Sequence, residues 1–390
     1  MTLIKAASAF SIFFQNNWGV ILFYLFVVLI IYSYRRKFDV HLGFIALFRT
    51  KWGLKSMDKY AKKYPKLLRF IGDLGIVVGF SGMVLMFWFL ADGVYKFFLN
   101  PKADAVVAVV IPGLNIAGSP LNGLSLGMGL LIIFLVASFH EFGHGVISRL
   151  YNIKVRASGI VFFGPILGAF VEPDQKDLAK VSDNAKLAMY SAGPFFNVIM
   201  TLFVLLLISS MSFFGMTWTA YQPAYIGEVV PNSTLYYAGI EKGETITAIN
   251  NNKIENIDSL IHELNDISVN DTIFIETDKG IKETNVLSRP SMPDVPFLGI
   301  EFTRTNFISK LLHKIFTFLM YLAMISLGIG TANLLPFGPL DGGRMLHNRL
   351  FHWFGKKNES AALKCFSIIS SIVLLMLLVT IFGPLFGLFM

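Results

Sequence analysis

A chain of 390 residues in which 54% are apolar and only 15% are charged does not have the composition of a soluble globular domain. Its formal net charge of +8 does not mark a nucleic-acid binder, because most of the Lys and Arg residues flank apolar runs instead of alternating with base-stacking aromatics. The single cysteine, Cys365, excludes an intrachain disulfide.

The first apolar run, residues 16–34, is followed, not preceded, by the charged group Arg35, Arg36 and Lys37, so it reads as a membrane anchor with its N-terminus outside rather than a cleavable signal peptide. Residues 35–69 then carry eleven Lys and Arg against two acids, Asp39 and Asp58, which marks a cytoplasmic loop. A second run, 71–90, crosses outward and a third, 124–150, returns. Each is about the 20 residues that a helix needs to span a hydrocarbon layer.

The third run contains HEFGH. His140 and His144 are four residues apart and therefore share one face of a helix about one turn apart, close enough for both imidazoles to bind one zinc ion. Glu141 beside them suits proton transfer, accepting from the attacking water and donating to the leaving amine. Two imidazoles and a carboxylate in a run as apolar as LGMGLLIIFLVASF are costly in hydrocarbon and point to function.

Residues 161–171, VFFGPILGAFV, are too short to span a bilayer, and Gly164, Pro165 and Gly168 argue against a continuous helix. A re-entrant β-hairpin lining a site fits this segment. The loop holding Lys154, Arg156, Lys176 and Lys180 is again basic and cytoplasmic. The fourth run, 187–214, leads outward into residues 222–305, which are polar and broken into short β-type runs such as TIFIET, with one helix-like stretch at 257–267. Through VVPNSTLYYAGIEKGETITAINNNKI, residues 229–254, this segment resembles a PDZ domain, with Gly243-Glu244 where that family has Gly-Asp.

A fifth run, 315–335, ends in NLLPFGPLDGGR, residues 333–344, and a sixth covers 365–388 after the basic loop of Arg344, Arg349, Lys356 and Lys357. Three basic loops agree on one topology. The fold expected is a polytopic α-helical membrane protein with about six transmembrane helices, a re-entrant β-hairpin and one α+β PDZ-like domain. A catalytic zinc needs a third protein ligand, and Asp341, Glu172 and Asp174 are the candidates. Asp341 is favoured because Pro336 and Pro339 break the helix while Gly342 and Gly343 permit a close turn. His41, His262, His313, His347 and His352 have no second ligand at helical spacing.

HEFGH in one span, GPFFN (193–197) in the next and NLLPFGPLDGG in a later one together resemble the site-2 protease family of intramembrane metalloproteases. The resemblance implies zinc held by His140, His144 and Asp341, with Glu141 as the catalytic carboxylate. It makes Asn197 and Asn333 candidates for binding the substrate backbone, although interhelical hydrogen bonding would also account for them. It also suggests that Gly164, Ile166, Leu167, Gly168, Ala169 and Phe170 clamp an unwound substrate strand by β-addition.

The domain organisation follows. Residues 1–120 hold two transmembrane helices and the basic loop, 121–221 the first part of the protease core, 222–305 the PDZ-like insert, 306–350 the second part of the core and 351–390 the last helix. The expected function is regulated intramembrane proteolysis of transmembrane proteins by a multi-pass protein of the cell membrane. Both termini and the insert lie outside, the zinc site opens to the cytoplasm, and the insert receives a peptide or chain terminus. The contrasting reading is a catalytically silent scaffold that collects partners through the insert; an intact Glu141 between the histidines argues against it.

Overall fold

The computed structural model of the chain describes residues 2–41, 45–100, 111–114, 124–163, 166–290, 292–303 and 306–387. They form two compact units, one of residues 1–204 with 321–390 and one of residues 205–320. Among the described residues, six helices are long and apolar enough to cross a membrane, which makes this a multi-pass membrane protein.

The first unit begins with helix α1 (Thr2–Ser33). The basic segment that follows is more than a loop: it holds strands β1 (Asp39–His41) and β2 (Ile45–Thr50) and helix α2 (Leu54–Lys63). Helix α2 buries only Met57 and Ala61, one turn apart, and leaves its lysines to the other faces. Helix α3 (Pro65–Leu99) starts on a proline, where the missing N–H has no helical partner to lose.

Helix α4 (Leu126–Leu150) carries HEFGH, and the Ser125 side chain caps its start by accepting from Met128 N at 3.4 Å. Half of its most apolar window is buried, against 11% in the first and last spans, so α4 is the central helix and those two present most of their surface outward. Strands β3 (Val155–Phe163) and β4 (Ile166–Pro173) come next and pair antiparallel. Their turn, Gly164 and Pro165, lies outside the described residues.

The pair is not isolated. Strand β2 pairs with β3, giving a four-stranded sheet in the order β1-β2-β3-β4 that leaves β4 at an edge, packed along α4. Helix α5 (Gln175–Lys180) is capped by Asp174, and helix α6 (Asp183–Phe213) contains Pro194 of GPFFN. Val146, Ile147, Ala188, Met189, Ala192 and Phe196 form the buried seam between α4 and α6.

The second unit opens with β5 (Ile226–Val229), α7 (Thr234–Tyr237), β6 (Ile246–Ile249), β7 (Asn252–Lys253) and α8 (Ile257–Leu264). It continues with β8 (Thr272–Thr277), β9 (Gly280–Asn285), β10 (Ser288–Arg289), β11 (Met292–Pro296) and β12 (Ile300–Phe302). One sheet runs β7-β6-β8-β9, and two-stranded pairs join β5 to β12 and β10 to β11. Alternate residues of TIFIET, Ile273, Ile275 and Thr277, point inward as a two-residue period requires. Ile226, Leu235, Ile249 and Leu260 complete the core. Asn256, not the acidic Asp258, caps α8, accepting from Ser259 N at 2.8 Å.

Glu244, only 3% exposed, accepts from Thr277 Oγ1 at 2.7 Å and from Glu241 N at 2.9 Å. Burial opposes its ionisation, but these bonds and Lys279 outweigh that and hold its carboxyl below the ordinary glutamate range. A lowered folded-state pKa contributes stability that is complete above the unfolded-state value and is lost as pH falls through the folded one. Glu244→Gln is therefore expected to destabilise this unit at neutral pH by about 1–3 kcal/mol and to flatten its loss of stability in acid. Amide exchange of β6 and β8 in the full-length protein, followed from pH 7 to pH 3, measures this; an acid limb as steep in the variant would refute it.

Helix α9 (Phe307–Asn333) follows, then a turn with two prolines, and α10 (Asp341–Phe354) and α11 (Glu359–Gly387) end the described chain. Leu334 packs with Met83, Leu187 and Met345, and Leu335 with Leu90 and Val373, fixing that turn against α3, α6, α10 and α11.

Candidate metal centre

On α4 the two histidines of HEFGH lie as a four-residue spacing demands, their rings 4.8 Å apart between centroids and their Nε2 atoms 3.2 Å apart. The third group, for which the sequence favours Asp341, comes from a distant part of the chain. The chain supplies it after the α9 turn. Pro336 and Pro339 prevent helix from continuing, and α10 starts on Asp341 itself.

Gly342 and Gly343 make that start possible. A Cβ on either would come within 2.1 Å of a backbone carbonyl oxygen, Leu334 O for the first and Phe337 O for the second. With both absent, Asp341 Oδ2 comes to 3.1 Å from His140 Nε2 and 3.2 Å from His144 Nε2. The three donors thus form a nearly equilateral triangle. Tetrahedral ligands about 2.0–2.1 Å from zinc lie roughly 3.3–3.4 Å from one another, so the triangle has the size of one face of a zinc tetrahedron with its fourth position open.

The other ring nitrogens are held. His144 Nδ1 donates to Met189 O at 2.7 Å, which leaves Nε2 as the lone-pair nitrogen. His140 Nδ1 faces the Asn197 side-chain amide at 3.2 Å. The amide nitrogen Nδ2 is the atom placed there, while Oδ1 has no partner among the described residues. A histidine that binds metal through Nε2 carries its proton on Nδ1, and the Asn197 amide turned over would accept it through Oδ1.

Helix α6 also provides clearance. A Cβ on Gly193 would lie 2.3 Å from His144 Nε2 and 2.5 Å from His140 Nε2. Gly193 therefore leaves both nitrogens uncrowded on the side facing α6. Sequence reasoning took Asn197 from GPFFN and passed over its glycine; the signal that could have found it is a glycine inside an otherwise bulky apolar helix.

Glu141 also offers an oxygen within 4.8 Å of the histidine donors. Its Oε2 accepts from Val171 N of β4 at 2.8 Å, whereas Asp341 meets both nitrogens at contact distance, so Asp341 is better placed than Glu141 for a third ligand and the Glu141 carboxylate stands beside the three donors. Of the other acids considered, Glu172 pairs with Arg49 at 2.9 Å and Asp174 caps α5 while bonding Arg156 at 2.8 Å; neither sits at the histidines.

The clamp residues divide. Ile166, Leu167, Gly168, Ala169 and Phe170 all lie on edge strand β4, and Gly164 lies outside the described residues. Ala169 and Phe170 share a cavity wall with Glu141. Asn333 bonds back to Ile329 O at 3.0 Å within α9. His347 stacks on Phe351, and His352 pairs with Asp183 at 2.7 Å.

Residues 128–378 match the model of peptidase family M50. The chain is 26% identical over 329 residues to an uncharacterized protein of Methanocaldococcus jannaschii, covering 82% of this chain and 81% of that one. It is 25% identical over 334 residues to a Campylobacter jejuni protein, covering 64% of this chain and 89% of that one. A Neisseria meningitidis protein is 28% identical over 147 residues, 30% of this chain and 31% of that one. Both bacterial proteins bear the name "Putative zinc metalloprotease".

Proposed function

Because the chain belongs to peptidase family M50 and is a membrane metalloprotease of that family, we propose that it hydrolyses peptide bonds in or near transmembrane segments, in the manner of a site-2 protease. The observation that carries this reading is the triangle of His140 Nε2, His144 Nε2 and Asp341 Oδ2, with 3.1–3.2 Å edges, beside the carboxylate of Glu141. His140, His144 and Asp341 would hold zinc, which when bound polarises a carbonyl and makes water a stronger nucleophile.

The chain's own groups do the rest. Glu141 takes the proton of the attacking water and hands it to the leaving amine. Met189 O and the Asn197 amide hold the imidazoles in the tautomer that leaves Nε2 unprotonated. Strand β4 clamps the substrate: a helical segment hides its peptide bonds, and pairing with an edge strand holds it extended.

The same reading places the chain in the cell membrane with both termini and a PDZ-like insert outside and the zinc site open to the cytoplasm, in keeping with the basic segments 35–69 and 344–357. The insert would bind a chain end or an extended peptide, and the whole would act in regulated intramembrane proteolysis.

Protein purified without added metal is expected to contain about one zinc per chain and to cleave a membrane-spanning reporter; a chelator should stop the cleavage and zinc restore it. Metal-free protein that still cleaves would sink the reading. Asn197→Ala should weaken zinc binding about 10–100-fold, measured by competition with a chromogenic chelator, while Asn333→Ala should leave it unchanged. Equal zinc affinities in the two variants would remove the orienting role of Asn197.

A further inference from the structure

Beside Glu141 the structure contains a cavity of about 350 Å³ whose walls come from α4, from β3 and β4, and from the residues between β2 and α2. Phe134 and Phe142 line it from α4, Ile160 from β3, Phe170 from β4 and Met57 from α2. Its wall hydroxyls are largely engaged elsewhere. Thr50 Oγ1 donates to Ser158 O at 3.0 Å, and Ser158 Oγ donates to Trp52 O.

That engagement decides what the cavity suits. A polar ligand or a chain of waters needs partners at several points, and the wall offers chiefly hydrocarbon around one carboxylate. We propose that this cavity is a specificity pocket that receives one large apolar side chain, Leu, Phe or Met, from the substrate residue next to the scissile bond. The inference rests on the proteolytic reading above and assigns its side-chain preference.

The placement supports this occupant over any other. Val171 N, bonded to Glu141, faces away from β3, and by the two-residue alternation of a strand so do the N–H groups of Ala169 and Leu167. A strand added to this edge therefore passes Glu141 and the cavity together, and its alternate side chains fall on the sheet face shared by the cross-strand pair Ile160 and Ala169, both of which line the cavity. Pocket and proton-transfer group thus share a border, so filling the one positions the backbone at the other.

Ser138 sets the width of the cavity from α4, one turn before Glu141, and Ile160 sets it from the sheet. The test uses the full-length, zinc-loaded protein and a single-span substrate whose cleavage site is mapped by mass spectrometry. Each residue within three of the scissile bond is replaced in turn by Ala, Leu, Phe and Asp. At one position the native chain is expected to prefer Leu or Phe over Ala by about tenfold or more in kcat/KM and to reject Asp.

Ser138→Leu, which narrows the cavity, should reverse that preference toward Ala at the same position. Ile160→Ala, which widens it, should extend the preference to Trp, and decides the matter alone where Ser138→Leu fails to fold. Cleavage with no such position, or a preference unchanged in the folded variants, overturns the pocket and leaves the proteolytic reading intact. Absence of any zinc-dependent cleavage by the native chain overturns both.

Discussion

Glu141→Gln is expected to keep its zinc and lose its catalysis. The substitution preserves shape, and an amide oxygen still accepts from Val171 N, so the contact between α4 and β4 survives. The donors of the metal triangle, His140, His144 and Asp341, are untouched. What disappears is a group that takes and returns a proton, and kcat/KM on a membrane-spanning substrate should fall about 10²–10⁴-fold. Metal analysis and a cleavage assay on the same preparation separate the two effects. Loss of zinc together with activity would show Glu141 to be a ligand, and full activity would remove it from the chemistry.

Gly193→Ala should do the reverse, impairing metal binding without replacing a ligand. The added methyl occupies the space 2.3–2.5 Å from both histidine nitrogens. Helix α6 cannot simply withdraw, because the buried seam through Ala188, Met189, Ala192 and Phe196 ties it to α4. Zinc affinity is expected to fall more than about 100-fold, beyond the loss usual for an outer partner of a ligand. Far-UV circular dichroism and the melting temperature of the metal-free forms provide the control, since one methyl is a small change elsewhere in the fold. Native zinc affinity in this variant would mean that the metal lies elsewhere than between these nitrogens.

Much of this centre was legible in the sequence because its requirements are local. A four-residue spacing fixes two imidazoles on one helical face whatever surrounds them. Asp341 was legible through its neighbours, since Pro336, Pro339, Gly342 and Gly343 announce a turn. Less legible were features that exist only between elements. Nothing local in IALFRT tells that it pairs with β3, so the basic segment read as a loop although it contributes two strands and a helix.

The same limit hid the partners of the site. Asn197 was considered for the substrate backbone through the family resemblance of GPFFN, yet its contact with His140 spans 57 residues and no periodicity reports it. Gly193 has a role defined by what it lacks, which only the packed geometry reveals. Charge patterning located the basic segments but said nothing of Arg49, which pairs across the sheet with Glu172 and so removes a rival ligand from contention.

The hydrogen bond from Val171 N to Glu141 has a consequence for phase. It closes one end of the free edge of β4. A substrate strand held by the proposed clamp would count its pairs backward from that point, through Ala169 and Leu167, in steps of two residues. A shift of one residue would turn every side chain to the opposite face. On the proposed clamp, the carboxylate of Glu141 marks one end of the pairing, and the preferred cut sites in a given transmembrane segment should be spaced two residues apart, a spacing that mass spectrometry of the products reads directly.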